Sequence, residues 1–257
     1  MTARRDFVEV GADRLEIVRI GATDASRPTL VFVHEGLGCV AMWRDFPQQL
    51  CARTGCAGVV YSRAGYGRSS PARGVRGVDY LHLEALEALP ALLDTLQLAR
   101  PVLVGHSDGG SIALIHAAQA ARAVAGLVVM APHEFVEAVT LEGIRAARAA
   151  WAETDLQARL ARYHDDPGWV FHSWNDTWLM PAFRSWNIEA CLPAIDCPVL
   201  AIQGEDDEYA TLRQIEVIAQ TVPGATQLAL AQCGHSPHRD QPEAVIGAIG
   251  RFIDTLE

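Results

Sequence analysis

Apolar and polar positions alternate along this chain in two rhythms. Residues 7–10 and 15–20 alternate around Gly11, Ala12 and Asp13, the pattern of an antiparallel hairpin with one covered face. Continuous apolar runs follow at 29–34 (TLVFVH), 57–62 (AGVVYS), 101–104 (PVLV), 125–130 and 198–203, and a further strand is expected at 227–230. Runs without a polar face predict strands buried on both sides, as in a parallel sheet. Between them, apolar residues recur three and four apart. Trp43, Phe46 and Leu50 mark a helix over 42–53, and a leucine series marks another over 79–96, interrupted by Pro90. Further helices are expected at 109–121, near 211–220 and at 243–256. This alternation predicts an α/β fold: a mostly parallel central sheet flanked by helices.

The rhythm breaks between 133 and 191, where no strand-like run occurs. Five of the six tryptophans fall there (Trp151, Trp169, Trp174, Trp178, Trp186), with Tyr163, Phe171 and Phe183. An aromatic-rich insertion between two sheet strands predicts a helical cap with an apolar underside, although the same residues suit an ordinary core. The expected organisation is a core of residues 1–132 and 192–257 carrying a cap of residues 133–191, in one structural unit.

Composition narrows the partners. The formal charge is −10 and all 21 basic residues are arginine, with no basic stripe, so no nucleic-acid partner is expected. No run of 18 apolar residues occurs, and the N-terminal arginines precede no apolar segment. Neither membrane span nor signal peptide is expected, and a cytoplasmic location follows. Six cysteines at 39, 51, 56, 191, 197 and 233 lack a C-x-x-C pair and read as reduced structural thiols. No metal-ligand spacing or nucleotide fingerprint is present, so neither metal nor cofactor is expected. Composition leaves the oligomeric state open.

Chemistry concentrates in VLVGHSDGG, residues 102–110. Ser107 sits in G-x-S-x-G after a buried strand and before a helix, the setting of a nucleophile elbow. Gly105 and Gly109 would relieve crowding in so sharp a turn. A serine nucleophile needs a base, and the base an orienting acid. Downstream, IQGEDDEY supplies Asp206 and Asp207 after a strand, and CGHSPH supplies His235 and His238 after the next.

With these residues assembled, the chain resembles the Ser-Asp-His serine hydrolases of the α/β-hydrolase superfamily, over nearly its whole length. VFVHEGLG is similar to their oxyanion segment, YSRAGYGRSS to the loop after the next strand, GHSDGG to the elbow, and QGEDD and CGHSPH to the acid and histidine loops. The resemblance implies Ser107 as nucleophile, His235 as base and Asp207 as acid. Asp207 is preferred to Asp206 because relatives place the acid three residues after the loop glycine, here Gly204. It implies that the backbone N–H groups of Asp108 and Gly36 hold the oxyanion. The implied activity is cofactor-independent cleavage of a small-molecule carboxylic ester with small-to-medium apolar groups, through an acyl-enzyme. Thioesters, lactones and carbon–carbon bonds are alternatives with the same residues, and a ligand-binding protein that kept the fold is the non-enzymatic one. A serine at the elbow argues against haloalkane dehalogenase and epoxide hydrolase chemistry, whose relatives use aspartate there.

Two positions depart from the pattern. Glu35 stands where most relatives have glycine, and its carboxylate is expected to reach solvent, Arg63 or Arg68, or otherwise to line the pocket. Asp108 either draws stability from its place in a helix's first turn or forms with Glu35 an acidic rim that disfavours anionic esters. Leu37, His106, His133, Trp174 and Trp178 join Glu35 as candidate pocket residues, His133 being either a substrate contact or a capped or solvated ring. His34 is expected to brace the oxyanion segment, and His238 to start a helix or lie on the surface.

Overall fold

The computed structural model describes residues 3–22, 24, 26–74 and 76–256. Eight strands form one sheet: β1 (Ala3–Val10), β2 (Asp13–Ile20), β3 (Leu30–Val33), β4 (Gly58–Tyr61), β5 (Val102–His106), β6 (Gly126–Met130), β7 (Val199–Gly204) and β8 (Thr226–Leu230). Their order is β1-β2-β4-β3-β5-β6-β7-β8. The β1–β2 and β2–β4 pairings are antiparallel and the rest parallel. Strands β3 to β7 are buried along their whole length, which explains their unbroken apolar runs. The hairpin begins four residues earlier than its apolar pattern suggested. Ala3 pairs with Ile20, because an edge strand needs partners only for its backbone and tolerates the polar Arg4, Arg5 and Asp6.

Helices α1 (Phe46–Thr54), α2 (Tyr80–Leu83), α3 (Leu89–Thr95) and α4 (Asp108–Gln119) alternate with these strands. Two expected helices are interrupted. The one over 42–53 divides at Arg44, whose φ of 54° cannot continue a helix; a 3-10 turn, Val40–Trp43, precedes it and α1 follows. The one over 79–96 widens between α2 and α3 into a π turn, Glu84–Ala88. There the Leu89 N–H reaches back to Glu84, so the Ala85 carbonyl would next be offered to Pro90, which has no N–H. His116 of α4 supplies the missing donor through Nδ1, 2.8 Å from the Ala85 oxygen.

Between β6 and β7 the chain runs through α5 (Ala138–Glu153), α6 (Leu156–Leu160), α7 (Pro167–Trp178) and two 3-10 segments, with Phe135 bridging Asn187 across the base. Most of its aromatics pack on one another: Trp151 stacks on Phe171 at 4.3 Å and Trp186 on Phe183 at 5.5 Å. The chain then returns through β7, α8 (Arg213–Thr221), β8, α9 (Pro237–Asp240) and α10 (Pro242–Ile253).

Two apolar cores lie on opposite faces of the sheet. One joins Leu81, Leu89, Ile112, Leu192 and Ile215 to Val31 and Leu103; the other joins Trp43, Leu50, Ile249 and Ile253 to Phe32 and Val104. No described helix is long and apolar enough to cross a membrane. All six cysteines are unpaired. The parallel strands β3, β5, β6, β7 and β8 end at one edge, where open α/β sheets place their ligands.

Candidate active site

Ser107 closes β5 and precedes α4 with φ 52° and ψ −119°, a conformation that L residues occupy only under strain. The turn is compressed against its neighbours. A Cβ on Gly109 would lie 1.9 Å from the Val33 carbonyl oxygen, and one on Gly105 would lie 2.2 Å from the Gly109 oxygen, so both positions require glycine.

The loop after β8 brings His235 to this serine. The Ser107 hydroxyl donates to His235 Nε2 at 2.9 Å, and His235 Nδ1–H donates to Asp207 at 2.9 Å from each carboxylate oxygen. Asp207 faces the imidazole, whereas Asp206 is exposed. The Tyr209 N–H and the Gln203 side-chain amide complete the acceptor sites of Asp207 at 2.8 and 3.2 Å. Burial opposes charging of His235, but the Asp207 hydrogen bond and charge outweigh it and lift the imidazole above its ordinary value. Burial likewise works against the Asp207 carboxylate, and the same histidine holds it below the usual range.

The loop after β3 is locked from behind. His34 Nδ1–H donates to the Glu35 carbonyl at 2.7 Å, leaving Nε2 to accept the Arg63 backbone N–H at 3.1 Å. That tautomer is neutral, and burial beside the Arg63 charge pushes the ring well below the usual histidine value. The Arg63 guanidinium donates to the carbonyls of His34 and Glu35 at 3.4 and 3.0 Å. Gly36 lies under Trp174, where a Cβ would meet the indole at 2.2 Å. Among the described residues the N–H groups of Gly36 and Asp108 donate to no protein acceptor.

Each of the two departing residues takes one of its expected placements, Glu35 in the pocket and Asp108 in the first turn of α4. The Glu35 carboxylate pairs with neither Arg63 nor Arg68. It lines the cavity and meets His106 Nδ1 at 3.5 Å, while His106 Nε2–H donates to the His235 carbonyl at 2.7 Å. Burial opposes ionisation of Glu35, but the neighbouring His106 keeps its carboxyl below the usual range. Asp108 forms no rim. Its side chain is fully buried and turned from the cavity, accepting the Tyr80 hydroxyl at 2.9 Å and lying 3.6 Å from the Arg63 guanidinium. Tyr80 in turn accepts the Trp178 indole N–H at 2.8 Å.

A cavity of about 420 Å³ opens over Ser107. Of the candidate pocket residues, Glu35, Leu37, His106, His133, Trp174 and Trp178 line it, with Gly36, Ser107 and His235. Asp207 stands behind His235. His133 is not solvated: it is buried, 5.1 Å from the Trp178 ring and 5.9 Å from His235, and burial beside His235 pushes its imidazole down to about 3. A neutral ring there cannot compete for the His235 proton. His238 stands at the start of α9 as expected, but is buried rather than on the surface, its ring 4.9 Å from Trp43 and 4.8 Å from His106. Sequence reasoning missed Tyr209, which packs 4.7 Å from the His235 ring, and Glu208, which accepts the His235 backbone N–H at 3.1 Å. Both adjoin Asp207 in the QGEDDEY stretch, which was the available signal.

Residues 30–248 match the model of the alpha/beta hydrolase family. A curated relative, the 2-succinyl-6-hydroxy-2,4-cyclohexadiene-1-carboxylate synthase of Salmonella paratyphi C, is 26% identical, over 88% of this chain and 94% of its own. Among solved structures, the enol-lactonase of Burkholderia xenovorans superposes with a TM-score of 0.75 at 21% identity, over 97% of this chain and all of its own. An esterase of Thermogutta terrifontis superposes with a TM-score of 0.72 at 21% identity, over 98% of this chain and 99% of its own. At such identities these structures establish the shared fold, while the family model spans most of the chain. The protein belongs to the alpha/beta hydrolase family.

Proposed function

We propose that the chain hydrolyses carboxylic esters through an acyl-enzyme on Ser107. The observation that carries this reading is the continuous relay from the Ser107 hydroxyl through His235 to Asp207, at the floor of a cavity. Ser107 Oγ attacks the ester carbonyl as His235 Nε2 takes its proton. Asp207 holds the reactive tautomer and stabilises the imidazolium. The tetrahedral oxyanion is held by the free N–H groups of Asp108 and Gly36. Collapse returns the proton from His235 to the leaving alcohol. Water, deprotonated by the same histidine, then cleaves the acyl-enzyme and releases the acid. The segment between β6 and β7 serves as a cap, with Trp174 and Trp178 excluding water from the acyl site.

The relatives are named as a synthase, an enol-lactonase and an esterase, so they support a hydrolase-type site without choosing its substrate. The test is covalent labelling. A fluorophosphonate should modify one residue per chain, mapped by mass spectrometry to Ser107, and carboxylic esters should slow the labelling. Folded protein that remains unmodified would refute the reading.

The pH profile follows from the histidine. Only neutral His235 can accept the serine proton, and its pKa lies above the ordinary histidine value of about 6.5. Thus kcat/KM should rise with pH through an inflection above about 6.5 and level off beyond it. An acid limb that inflects below pH 6 would contradict the arrangement.

A further inference from the structure

The cavity's polar residues are distributed unevenly. Its buried or half-buried lining joins the apolar Leu37, Ile144, Leu160, Trp174 and Trp178 to Ser107, His106, His133 and His235. The same lining includes Arg44, Arg159, Arg162 and Arg239, all exposed and therefore at its solvent end. The chain as a whole has 31 acidic residues against 21 arginines, yet the acids of this lining are two glutamates facing four arginines. Both glutamates are engaged, Glu35 with His106 and Glu208 with the His235 backbone N–H.

Three of the arginines have no counter-charge. Arg159 pairs with Asp155 at 3.1 Å, but the side chains of Arg44, Arg162 and Arg239 form no ion pair or hydrogen bond among the described residues. They come from three separate stretches of chain: the break before α1, the residues after α6, and α9. Arg44 reaches the mouth from a backbone at φ 54°, an unfavourable conformation for a side chain of this size. Convergent guanidinium groups recognise oxyanions, through charge and through their forked donors.

We infer that this mouth binds an oxyanion, a carboxylate or phosphate, carried by the substrate at the end away from its scissile ester. The preferred substrate is then a half-ester, with its apolar middle along Trp174 and Trp178 and its anion at Arg44, Arg162 and Arg239. This assignment rests on the ester-hydrolase reading for the position of the scissile bond, but the anion site can be tested without turnover.

The binding test uses Ser107→Ala protein, which leaves the mouth intact. Calorimetry with monomethyl adipate, its neutral counterpart dimethyl adipate and a terminal phosphonate of equal length should show the anions binding about tenfold tighter, as three exposed arginines each contribute roughly two- to threefold. The preference should shrink between about 0.05 and 0.5 M salt. It should fall stepwise on introducing Arg44→Gln, Arg162→Gln and Arg239→Gln. The stronger of the two anions identifies the natural group. Equal binding of neutral and anionic esters, or a preference untouched by salt or by the arginine substitutions, overturns the proposal. In parallel, the wild-type protein is assayed with the p-nitrophenyl half-ester of adipic acid and its methyl ester. Faster kcat/KM for the half-ester supports the anion site in turnover. If neither is hydrolysed while the anions still bind, the hydrolase reading fails and the anion site stands.

Discussion

Ser107→Ala should lower kcat for any ester substrate by roughly 10⁶, with little change in thermal stability. In the proposed reaction the hydroxyl is the attacking group, and among the described residues no other cavity nucleophile hydrogen-bonds to His235 Nε2. The residual rate reflects only binding and the free N–H groups of Asp108 and Gly36. Stability is unaffected because alanine inherits the same φ of 52°. Ser107→Gly is the informative companion: equally inactive, it should unfold at higher urea concentration. Relief of about 1–3 kcal/mol of backbone strain outweighs the ~0.5–1 kcal/mol that glycine costs in entropy. Steady-state rates and urea midpoints check both arms. Retention of more than a hundredth of the activity in the alanine variant would remove Ser107 from the mechanism. A less stable glycine variant would show that the elbow is not strained.

Arg63→Met should destabilise the protein by about 3–5 kcal/mol, the usual consequence of stranding one member of a buried ion pair. Arg63 and Asp108 are both fully buried and 3.6 Å apart, and the Asp108 Oδ1 atom has no hydrogen-bond partner even with the arginine present. Removing the guanidinium leaves Asp108 with the Tyr80 hydroxyl alone. It also releases the carbonyls of His34 and Glu35, which position the loop carrying Gly36. Adding Asp108→Asn should recover part of the loss, since the amide oxygen still accepts from Tyr80 while the stranded charge disappears. Urea unfolding of the wild type, both single variants and the double variant measures the coupling. If the single and double arginine variants unfold at the same midpoint, charge pairing is not what Arg63 contributes.

The central sheet could be read from the chain because five parallel strands are buried on both faces, and unbroken runs such as LVFV and VLVGH record that burial directly. Ser107, Asp207 and His235 were legible because each stands in a short motif after a strand, the first two after the buried β5 and β7 and the third after the more exposed β8. What escaped depended on contacts between distant segments. Asp108 resembled an ordinary helix-start acid until Arg63 and Tyr80, 45 and 28 residues away, enclosed it. His238 resembled a surface residue because Trp43 and Phe46, which cover it, come from the opposite end of the chain. The arginines at the cavity mouth were invisible for the same reason, since each alone has the appearance of a solvated side chain. Of the placements expected for Glu35, solvent, an arginine or the pocket, the pocket holds, since Arg63 is committed to backbone carbonyls and His106 Nδ1 lies 3.5 Å from the carboxylate.

The bond from Trp178 to Tyr80 has a mechanical consequence. Swinging the C-terminal end of α7 outward would strip the indole N–H and the Tyr80 hydroxyl of each other, at about 1–3 kcal/mol for each group left unpaired. His164 ties down the near side of the same segment, donating to the Leu37 carbonyl and accepting the Gly67 N–H. Between α5 and α6, residues 153–161 hydrogen-bond only to their neighbours in the chain, among the described residues, and are anchored by Leu160, buried in the apolar core, with Leu156 packed against it. Polar bonds therefore hold the segment at Trp178 and His164, whereas its α5–α6 corner is held by apolar packing. Because Arg159 at that corner is already paired with Asp155, an anion taken up at the proposed mouth would meet the unpaired charge of Arg162 beside it.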